Sequence, residues 1–408
     1  MAESLTDVCL HCVELIRNVP VSILLVSLVA TFVGFIALVY AFLFAVAPEP
    51  RKPFPEEKTY RTLTDDGAVT EPRRLPCWQD AWESQRKRGL KQGAGLEPEK
   101  PELFMSVVVP AYNEEERLAG MLEEAVNFLE RNYGTGQSEK KSNNVRQRKV
   151  NGKANGHATT SAPSKGWEIL IVSDGSTDKT EETAFAFARE HQLSSHPKGH
   201  VGPWTPEARE GINIPPGSIR VVSLTKNRGK GGAVTHGMRH VRGQYVVFAD
   251  ADGASKFDDL AKLVTACQAA EDSEKRAVAV GSRAHMVGSE AVVKRSKLRN
   301  FLMHSFHLIL WLLTPPATAK IKDTQCGFKL FSRASLPYII PYMHSEGWIF
   351  DVEMLMLAEF AGIPVVEVPV DWREIKGSKL NVLWDSIGMA WGLAVLRLSW
   401  GLGVYRRT

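Results

Sequence analysis

The sequence contains little cysteine and no excess of charge of one sign. Its 408 residues include five cysteines at scattered positions: Cys9, Cys12, Cys77, Cys267 and Cys326. So few cysteines, odd in number, cannot form a disulfide framework, which indicates a reducing compartment. Cys9 and Cys12 lack the second pair of ligands that a zinc site requires, so we predict no metal there. The formal net charge of +4 is small for this length and gives no indication of nucleic-acid binding.

A long stretch near the N-terminus lacks charge altogether. No charged residue occurs between Arg17 and Glu49, and this run exceeds the roughly 20 apolar residues that cross a bilayer. A signal peptide has a basic start and a shorter apolar core, so we predict a retained transmembrane anchor at 19–47. Most of the nearby cations follow the run. The positive-inside rule therefore places residues 1–18 in the lumen and the bulk of the chain in the cytosol.

Two further segments are predicted to lie near the membrane. Residues 48–102 are rich in proline and charge without sustained periodicity, which predicts a mostly irregular linker. Within it, Trp78 and Trp82 share one face of a short predicted helix, which either lies on an anionic membrane surface or packs on the domain. Residues 386–408 are apolar and rich in tryptophan, which predicts an amphipathic helix at the membrane surface.

Residues 103–385 alternate between strand and helix patterns. Near-continuous valine and isoleucine runs, such as LFMSVVVP and GQYVVFAD, are each followed by a helical segment. This alternation predicts strands buried on both faces of a mainly parallel sheet, and therefore an α/β domain. Two polar stretches interrupt the pattern, an insert at 134–166 and a segment at 191–216. We expect both to be excursions on the surface.

Polar motifs follow the first four predicted strands. In chain order they are PAYNEEE, SDGSTD, TKNRGKGGAV and ADADG. Ligands of an open parallel sheet bind beyond the carboxyl ends of its strands, so these motifs should meet at one site. Asp250 and Asp252 stand two residues apart at a strand end and project to the same side, and carboxylate oxygens are ligands that divalent cations prefer. The alternative is a turn with an aspartate that caps the next helix.

The third of these motifs opens a helix with a glycine-rich turn. Its glycines lack the spacing of a P-loop. The backbone N–H groups at the start of the helix, together with Lys230, can nevertheless bind an anion. The alternative is an ordinary turn between a strand and a helix.

The ordered set of motifs resembles the family 2 inverting glycosyltransferases of the GT-A fold, over roughly residues 103 to 385. The resemblance implies a nucleotide-sugar donor and a divalent metal, Mg²⁺ or Mn²⁺, that neutralises charge on the departing diphosphate. It implies that Asp252 binds the metal, that Asp250 lies toward the ribose or beside the metal, and that Asp174 bonds the base or ribose. It also implies a donor site lined by Pro110, Tyr112, Glu114, Lys230, Ala251 and Lys379.

The later motifs resemble the polyprenyl-phosphate branch of that family, the dolichyl-phosphate sugar transferases, and above all its glucosyl-transferring members. These motifs are GSR at 281–283, VVKRSKLRNF at 292–301, DTQCGFKLF at 323–331 and VDWREIKGSKL at 370–380. The resemblance implies UDP-glucose as donor and dolichyl phosphate as acceptor. It also implies the endoplasmic reticulum membrane as location, and a glucosylated lipid for protein N-glycosylation as product.

The predicted acceptor explains the cations in these motifs. A lipid phosphate is largely a dianion at neutral pH, so it needs cations to hold and aim it more than it needs a strong base. The candidate cations are Arg283, Arg295, Arg299, Arg373 and Lys379. Arg295 and Arg299 lie one helical turn apart, and the alternative for this pair is a solvated helix face. We predict catalytic roles for Arg283 and Arg373, and Asp323 either orients the cations or acts as a base.

Other functions remain open from the sequence. Enzymes that transfer mannose from GDP-mannose to dolichyl phosphate have related motifs, so this activity is one alternative. A membrane protein that binds a nucleotide sugar without catalysis is another. A processive polysaccharide synthase requires several membrane spans, whereas one is predicted here. A dinucleotide-dependent oxidoreductase requires GxGxxG after the first strand, where PAYNEE stands instead. The sequence leaves the oligomeric state open.

Overall fold

A computed structural model describes residues 20–92, 100–135, 165–207, 210–286, 310–375 and 382–407. The chain divides into two compact units, residues 49–393 and residues 1–48 with 394–408. The predicted lumenal segment 1–18, most of the insert 134–166 and the basic helix around Arg295 and Arg299 lie outside the described residues. The predicted domain boundaries stay predictions.

The apolar run near the N-terminus forms helix α1, Val21–Val46. Among the described residues it is the one helix long and apolar enough to cross a membrane. Leu43 is its one buried residue. An exposed apolar helix of 26 residues spans roughly 39 Å, which exceeds the thickness of a hydrocarbon core. Helix α1 belongs to the unit of residues 1–48 and 394–408. Within this unit, the hydroxyl of Tyr405 donates a hydrogen bond to the Pro48 carbonyl at 2.7 Å.

The linker after α1 is more ordered than the sequence suggests. It contains a two-stranded antiparallel ribbon of β1, Thr59–Tyr60, and β2, Arg73–Arg74, followed by helix α2, Trp78–Gln92. Trp78 is buried, and its Nε1 donates a hydrogen bond to the Met238 carbonyl at 2.6 Å. This hydrogen bond joins α2 to the main chain of Met238 within the 49–393 unit.

The unit formed by residues 49–393 is built on one large sheet. Its described strands are β3 Leu103–Ala111, β4 Trp167–Ser173, β5 Ile219–Ser223, β6 Gly243–Ala249, β7 Val278–Ser282, β8 Phe328–Ser332 and β9 Val365–Pro369. They lie in the order β5-β4-β3-β6-β8-β7-β9. Valine and isoleucine side chains of β3 and β4 are buried on both faces, as the uninterrupted apolar runs predict. The predicted α/β fold with a mainly parallel sheet is confirmed.

One strand of the sheet runs against the others. The β8 strand is antiparallel to both β6 and β7, whereas the remaining neighbours are parallel. In this register Phe328, at the start of β8, pairs with Ala249, at the end of β6. The DTQCGF motif therefore reaches the same edge of the sheet as the ADADG motif.

Helices cover the sheet and join its strands. The remaining described α-helices are α3 Leu118–Tyr133, α4 Thr180–Leu193, α5 Lys230–Met238, α6 Leu260–Ala270, α7 Pro316–Ala319, α8 Leu336–Ile339, α9 Phe350–Phe360 and α10 Val382–Gly401. The first four of these follow β3 to β6 in turn, as predicted. In α10, Trp384 and Trp391 are 69% and 57% exposed, so an apolar face of this helix is uncovered.

Candidate active site

The carboxyl ends of β3, β4 and β6 form the floor of the candidate site. These strands are parallel neighbours, so the motifs that follow them meet at one edge of the sheet. The backbone N–H of Asp174, just past β4, donates to the Ala111 carbonyl at the end of β3 at 2.8 Å. Asp250 and Asp252 follow β6 directly. The structure thus places Asp174, Asp250 and Asp252 at one edge of the sheet.

Asp250 and Asp252 have different neighbours. Lys230, the first residue of α5, places Nζ 2.6 Å from Asp250 Oδ1. Asp252 Oδ1 accepts a hydrogen bond from the Ala254 N–H at 3.0 Å, and its Oδ2 lies 4.0 Å from Arg117 Nη1. The side chains of Asp252 and Asp250 are similarly exposed, at 27% and 30%, so their charged neighbours and not their exposure distinguish them. Asp250 is therefore compensated by a lysine, whereas an oxygen of Asp252 is available to a ligand.

Burial and charge set the protonation of this group of residues. Burial raises the pKa of Asp252, and the neighbouring charge of Asp250 raises it further, against the effect of Lys230 and Arg117. Burial alone would lower the pKa of Lys230, but the carboxylates of Asp250 and Asp351 outweigh burial and raise it. Lys230 is therefore a firmly charged ammonium at neutral pH. A second cation beside Asp252 would relieve the repulsion between the two aspartates.

The acidic residues fit a divalent metal that is shared with a substrate. No group of three or more His, Cys, Asp or Glu side chains that could hold a metal occurs among the described residues. Mg²⁺, however, is commonly bound by one or two carboxylates together with substrate phosphates and water. Asp252, with its partly exposed carboxylate, has the chemistry of such a ligand. The residues present therefore fit the predicted metal.

Asp174 is the most deeply buried of the predicted donor residues, at 3% exposure. Burial raises its pKa to about 6, although N–H groups of Arg228 and Gly229 partly oppose the shift. The Arg228 N–H donates to Asp174 Oδ1 at 2.7 Å. The loop that opens α5 is thus bonded to the carboxylate at the end of β4.

The first motif provides a charged pair next to the aspartates. Glu114 accepts two hydrogen bonds from Arg117, from Nε at 2.8 Å and from Nη2 at 2.7 Å. This pairing holds Arg117 so that its other terminal nitrogen faces Asp252. Tyr112 is exposed at the rim and Pro110 is half-buried at the end of β3. The sequence did not single out Arg117, although its spacing of three residues from Glu114 is typical of an ion pair.

Arg283 and Asp323 form a forked ion pair. Arg283 Nε and Nη2 lie 2.7 and 2.8 Å from the two oxygens of Asp323, and the Arg283 backbone N–H donates to Oδ2 at 2.9 Å. Burial would raise the pKa of Asp323, but these bonds to Arg283 outweigh it and lower the pKa. The guanidinium also lies 5.4 Å above the Trp372 ring. This geometry is that of a carboxylate that orients a cation, rather than of a base ready to accept a proton.

Arg373 is held over the ADADG turn by the segment expected to be a surface excursion. Its guanidinium lies 4.2 Å from the ring centre of Trp204, and Nη1 donates to the Pro203 carbonyl at 2.6 Å. Trp204 Nε1 in turn donates to the Gly253 carbonyl at 3.1 Å. Residues 203 and 204 therefore contact the site, a contact that no local pattern in the sequence indicates.

Gly327 allows close contact between the later motif and Asp250. A Cβ atom at this position would overlap the Asp250 carboxylate. Two residues further on, Lys329 is fully buried, pairs with Asp351 and donates to the Cys326 carbonyl at 2.7 Å. Ala251 is buried between the two aspartates. The predicted cations Arg295, Arg299 and Lys379 lie outside the described residues.

A mainly parallel sheet whose strand ends carry an Asp-Ala-Asp turn, a lysine and a buried aspartate defines the class of a GT-A-fold glycosyltransferase. The model of glycosyl transferase family 2 matches residues 205–337. A Saccharomyces cerevisiae relative named dolichyl-phosphate beta-glucosyltransferase is 37% identical over 396 residues, 96% of each chain. The Homo sapiens protein of that name is 36% identical over 309 residues, 76% of this chain and 79% of the relative. The chain belongs to the dolichyl-phosphate beta-glucosyltransferase family.

A solved structure is similar at a lower level. Glucosyl-3-phosphoglycerate synthase from Mycobacterium tuberculosis, in complex with Mn²⁺ and uridine-diphosphate-glucose, is 15% identical to this chain. The match covers 73% of this chain and 80% of that chain, with a TM-score of 0.45.

Proposed function

We propose that this chain transfers glucose from UDP-glucose to dolichyl phosphate with inversion, which gives dolichyl β-D-glucosyl phosphate and UDP. The observation that carries the proposal is the set formed by Asp174, Lys230, Asp250 and Asp252 at the strand ends. It occurs in a chain similar over 96% of its length to a relative named for this activity. The product would supply glucose for protein N-glycosylation.

The donor side of the site has separate tasks for its carboxylates. Asp174 lies at the deep end, where an ionised carboxylate can accept a hydrogen bond from the base or ribose. Asp250, already paired with Lys230, lies toward the ribose, and Asp252 holds the metal. A divalent metal, when bound, neutralises charge on the departing diphosphate. Pro110, Tyr112 and Glu114 line the nucleoside end.

The acceptor side needs cations and not a strong base. An oxygen of dolichyl phosphate attacks the anomeric carbon, the bond from that carbon to the UDP oxygen breaks, and UDP leaves with the electron pair. No proton has to be removed from a phosphate dianion. We assign Arg283, paired with Asp323, and Arg373, stacked on Trp204, to the phosphate oxygens, which suit the planar guanidinium. Arg295, Arg299 and Lys379 complete the proposed set.

The location follows from α1 and the charge around it. A helix with this length and exposure fits a membrane span, and the cations that follow it favour a cytosolic catalytic unit. The exposed tryptophans of α10 fit a helix that lies at the same membrane surface. We infer an endoplasmic reticulum membrane protein whose lipid acceptor and soluble donor meet at the bilayer surface.

One assay tests the proposal against its alternatives. The purified full chain is incubated with dolichyl phosphate and either UDP-glucose or GDP-mannose, with Mg²⁺ or with a chelator. We expect glucosyl lipid to form with the metal, at least about tenfold faster than mannosyl lipid. Transfer from GDP-mannose at an equal or faster rate contradicts the assignment of glucose as the transferred sugar. Full activity in the presence of the chelator contradicts the proposed requirement for a metal.

A matched pair of variants tests catalysis itself. Asp252→Asn keeps the shape of the side chain but removes the charge that the metal requires, so transfer should fall by about 100-fold or more. Asp258→Asn changes an exposed aspartate six residues further on and should retain wild-type activity. Unchanged transfer in Asp252→Asn would exclude the proposed metal role.

A further inference from the structure

A segment that follows α1 in the chain contacts the donor side of the site. Residues 51–58 lie far in sequence from the strand-end motifs. Glu57 in this segment is fully buried, at 0% exposure, and Arg228 of the glycine-rich motif is buried with it. Glu57 Oε2 lies 2.5 Å from Arg228 Nη2. A buried ion pair persists only where further hydrogen bonds satisfy both charges, so the other partners of this pair are informative.

Both carboxylate oxygens of Glu57 are hydrogen-bonded. Its Oε1 accepts bonds from the N–H of Thr225 at 3.0 Å and from the Thr225 hydroxyl at 2.9 Å. Its Oε2 also accepts a bond from the Phe54 N–H at 2.8 Å. Burial alone would raise the pKa of Glu57, but these bonds and Arg228 outweigh burial and lower it. Glu57 is therefore ionised at neutral pH and fixes the start of the glycine-rich loop.

Arg228 joins the segment to the donor carboxylate. Its Nη1 donates to the Arg51 carbonyl at 2.6 Å and its Nη2 to the Lys52 carbonyl at 3.0 Å. The backbone N–H of the same residue donates to Asp174 Oδ1 at 2.7 Å. The side chain thus bonds the segment, while the main chain bonds the residue assigned to the base or ribose.

Arg51 makes a second connection to the same loop. Its Nε lies 2.6 Å from Glu346 Oε2, and its Nη1 donates to the Asn227 carbonyl at 3.1 Å. The carbonyl of Glu346 accepts a bond from the N–H of Gly232, in the first turn of the helix that Lys230 begins. Arg51 therefore contacts the loop that carries Lys230 directly at Asn227, before the lysine, and indirectly through Glu346 at Gly232, after the lysine.

We propose that Arg51 and Glu57, within residues 51–58, are positioning residues of the donor site: Glu57 holds Arg228, whose main chain bonds Asp174, and Arg51 holds the Lys230 loop through Glu346. The proposal rests on the proposed function for the assignment of Asp174 and Lys230 to the donor. The contacts of the segment described above are with Arg228, Thr225, Asn227 and Glu346, which lie between it and the donor residues. The segment fixes the loop in the geometry that binds the nucleotide diphosphate, so the chain that leaves the membrane anchor is part of the enzyme and not a passive tether.

The test compares variants of the segment with matched neighbours in the full chain. Glu57→Gln removes the buried charge, and Glu56→Gln makes the same change at the exposed adjacent residue. Arg51→Ala removes a half-exposed side chain that the fold does not bury, and Lys52→Ala is its exposed neighbour. Binding of UDP with Mg²⁺ is measured by calorimetry, and KM and kcat are measured for each substrate.

We expect the dissociation constant of UDP to rise about tenfold in Glu57→Gln and about fivefold in Arg51→Ala. The KM for UDP-glucose should rise in parallel, while kcat at saturating donor and the KM for dolichyl phosphate stay within about twofold. Glu56→Gln and Lys52→Ala should match the wild type. If Glu57→Gln does not fold, Arg51→Ala alone tests the proposal, because the contacts that it removes lie at the protein surface and their loss should leave the fold intact.

Other outcomes overturn the proposal. A purely stabilising role would lower the melting temperature and the active fraction, and with them kcat, but would leave UDP affinity within twofold of the wild type. An equal loss of UDP affinity in the control variants Glu56→Gln and Lys52→Ala would also contradict the proposal. A wild-type protein that binds UDP but transfers no glucose contradicts the proposed function, and the comparison of UDP affinities still decides on the segment. A wild-type protein that does not bind UDP overturns both.

Discussion

Lys230 Nζ lies 2.6 Å from Asp250 Oδ1, so the first aspartate of the Asp-Ala-Asp turn is neutralised by a residue from a different strand end. Asp252, two residues later, has no cation nearer than Arg117 at 4.0 Å among its described contacts. The two carboxylates are therefore chemically distinct before any substrate binds. One is already compensated, and the other still attracts a cation.

Replacement of Lys230 should show how much the compensation of the Asp250 charge contributes to activity. Lys230→Met keeps the length of the side chain but leaves the charge of Asp250 without its partner. We expect kcat/KM for UDP-glucose to fall by about 10- to 100-fold, as for other hydrogen-bonded charge pairs that lose one member. Lys226→Met, at an exposed position in the same loop, should retain wild-type kinetics. Steady-state kinetics over a range of UDP-glucose concentrations check the prediction, and equal effects in the two variants would contradict it.

Gly327 should be intolerant of even one added carbon. In Gly327→Ala the new Cβ would overlap the Asp250 carboxylate, which must then leave Lys230. We expect glucosyl transfer to fall about 100-fold, because a displacement of about 1 Å at a reacting centre has this effect. Gly388→Ala provides the control, since a Cβ there meets no atom within 4 Å. Retention of more than half the activity in Gly327→Ala would show that the close contact is dispensable.

The raised pKa of Asp174 predicts a dependence of stability on pH. The pKa is about 6 in the folded protein, above the ordinary value of 3.8, so protonated Asp174 favours the fold. Its stabilising contribution is complete below pH 4 and is lost as the pH rises through 6.

Asp174→Asn removes this titration and provides the measurement. Thermal melting of the full chain is compared between pH 5 and pH 7.5. The wild type should lose more stability than the variant over this range, by about 1 to 2 kcal/mol. Asp258→Asn, at an exposed position, should follow the wild type. Parallel curves for the wild type and Asp174→Asn would exclude the effect.

The exposed tryptophans of α10 can be located directly. The full chain is reconstituted into vesicles that contain brominated lipids, which quench tryptophan fluorescence at the bilayer. Replacement of Trp384 and Trp391 by phenylalanine should remove a substantial part of the quenching, because both rings are exposed on the apolar face. Trp78→Phe changes a buried ring and should remove little of it. Quenching that is insensitive to Trp384 and Trp391 would place this face away from lipid.

The sequence predicted the parts of the site that depend on strand ends. Once the valine-rich runs are taken as parallel strands, Asp174 and Asp250 are expected at the same edge of the sheet, because parallel strands end at one edge. The contact of Lys230 with Asp250 is not predicted in this way, because Lys230 begins a helix after β5, and two strands lie between β5 and β6. The β8 strand was not among the predicted strands, because Lys329 and Ser332 interrupt its short apolar run although both are buried. Its antiparallel direction was not predicted either.

The contacts that the sequence could not predict join distant segments through single side chains. Glu57 and Arg228 are 171 positions apart, and Trp204 reaches Gly253 from a stretch without periodicity. Such contacts depend on where whole elements pack and not on any local spacing. The linker seemed irregular for the same reason, because its order comes from partners outside it.

The reversed direction of β8 has a mechanical consequence. Phe328 pairs with Ala249, so the strand that leads into the Asp-Ala-Asp turn and the strand that starts beside Gly327 are cross-linked rung by rung. Asp323 and Arg283 stand just beyond the same ladder, since β7 pairs with the other edge of β8. The Asp-Ala-Asp turn and the Arg283–Asp323 pair are thus attached to one continuous hydrogen-bonded frame of strands. Trp204 and Arg373, by contrast, contact each other from loops outside this frame.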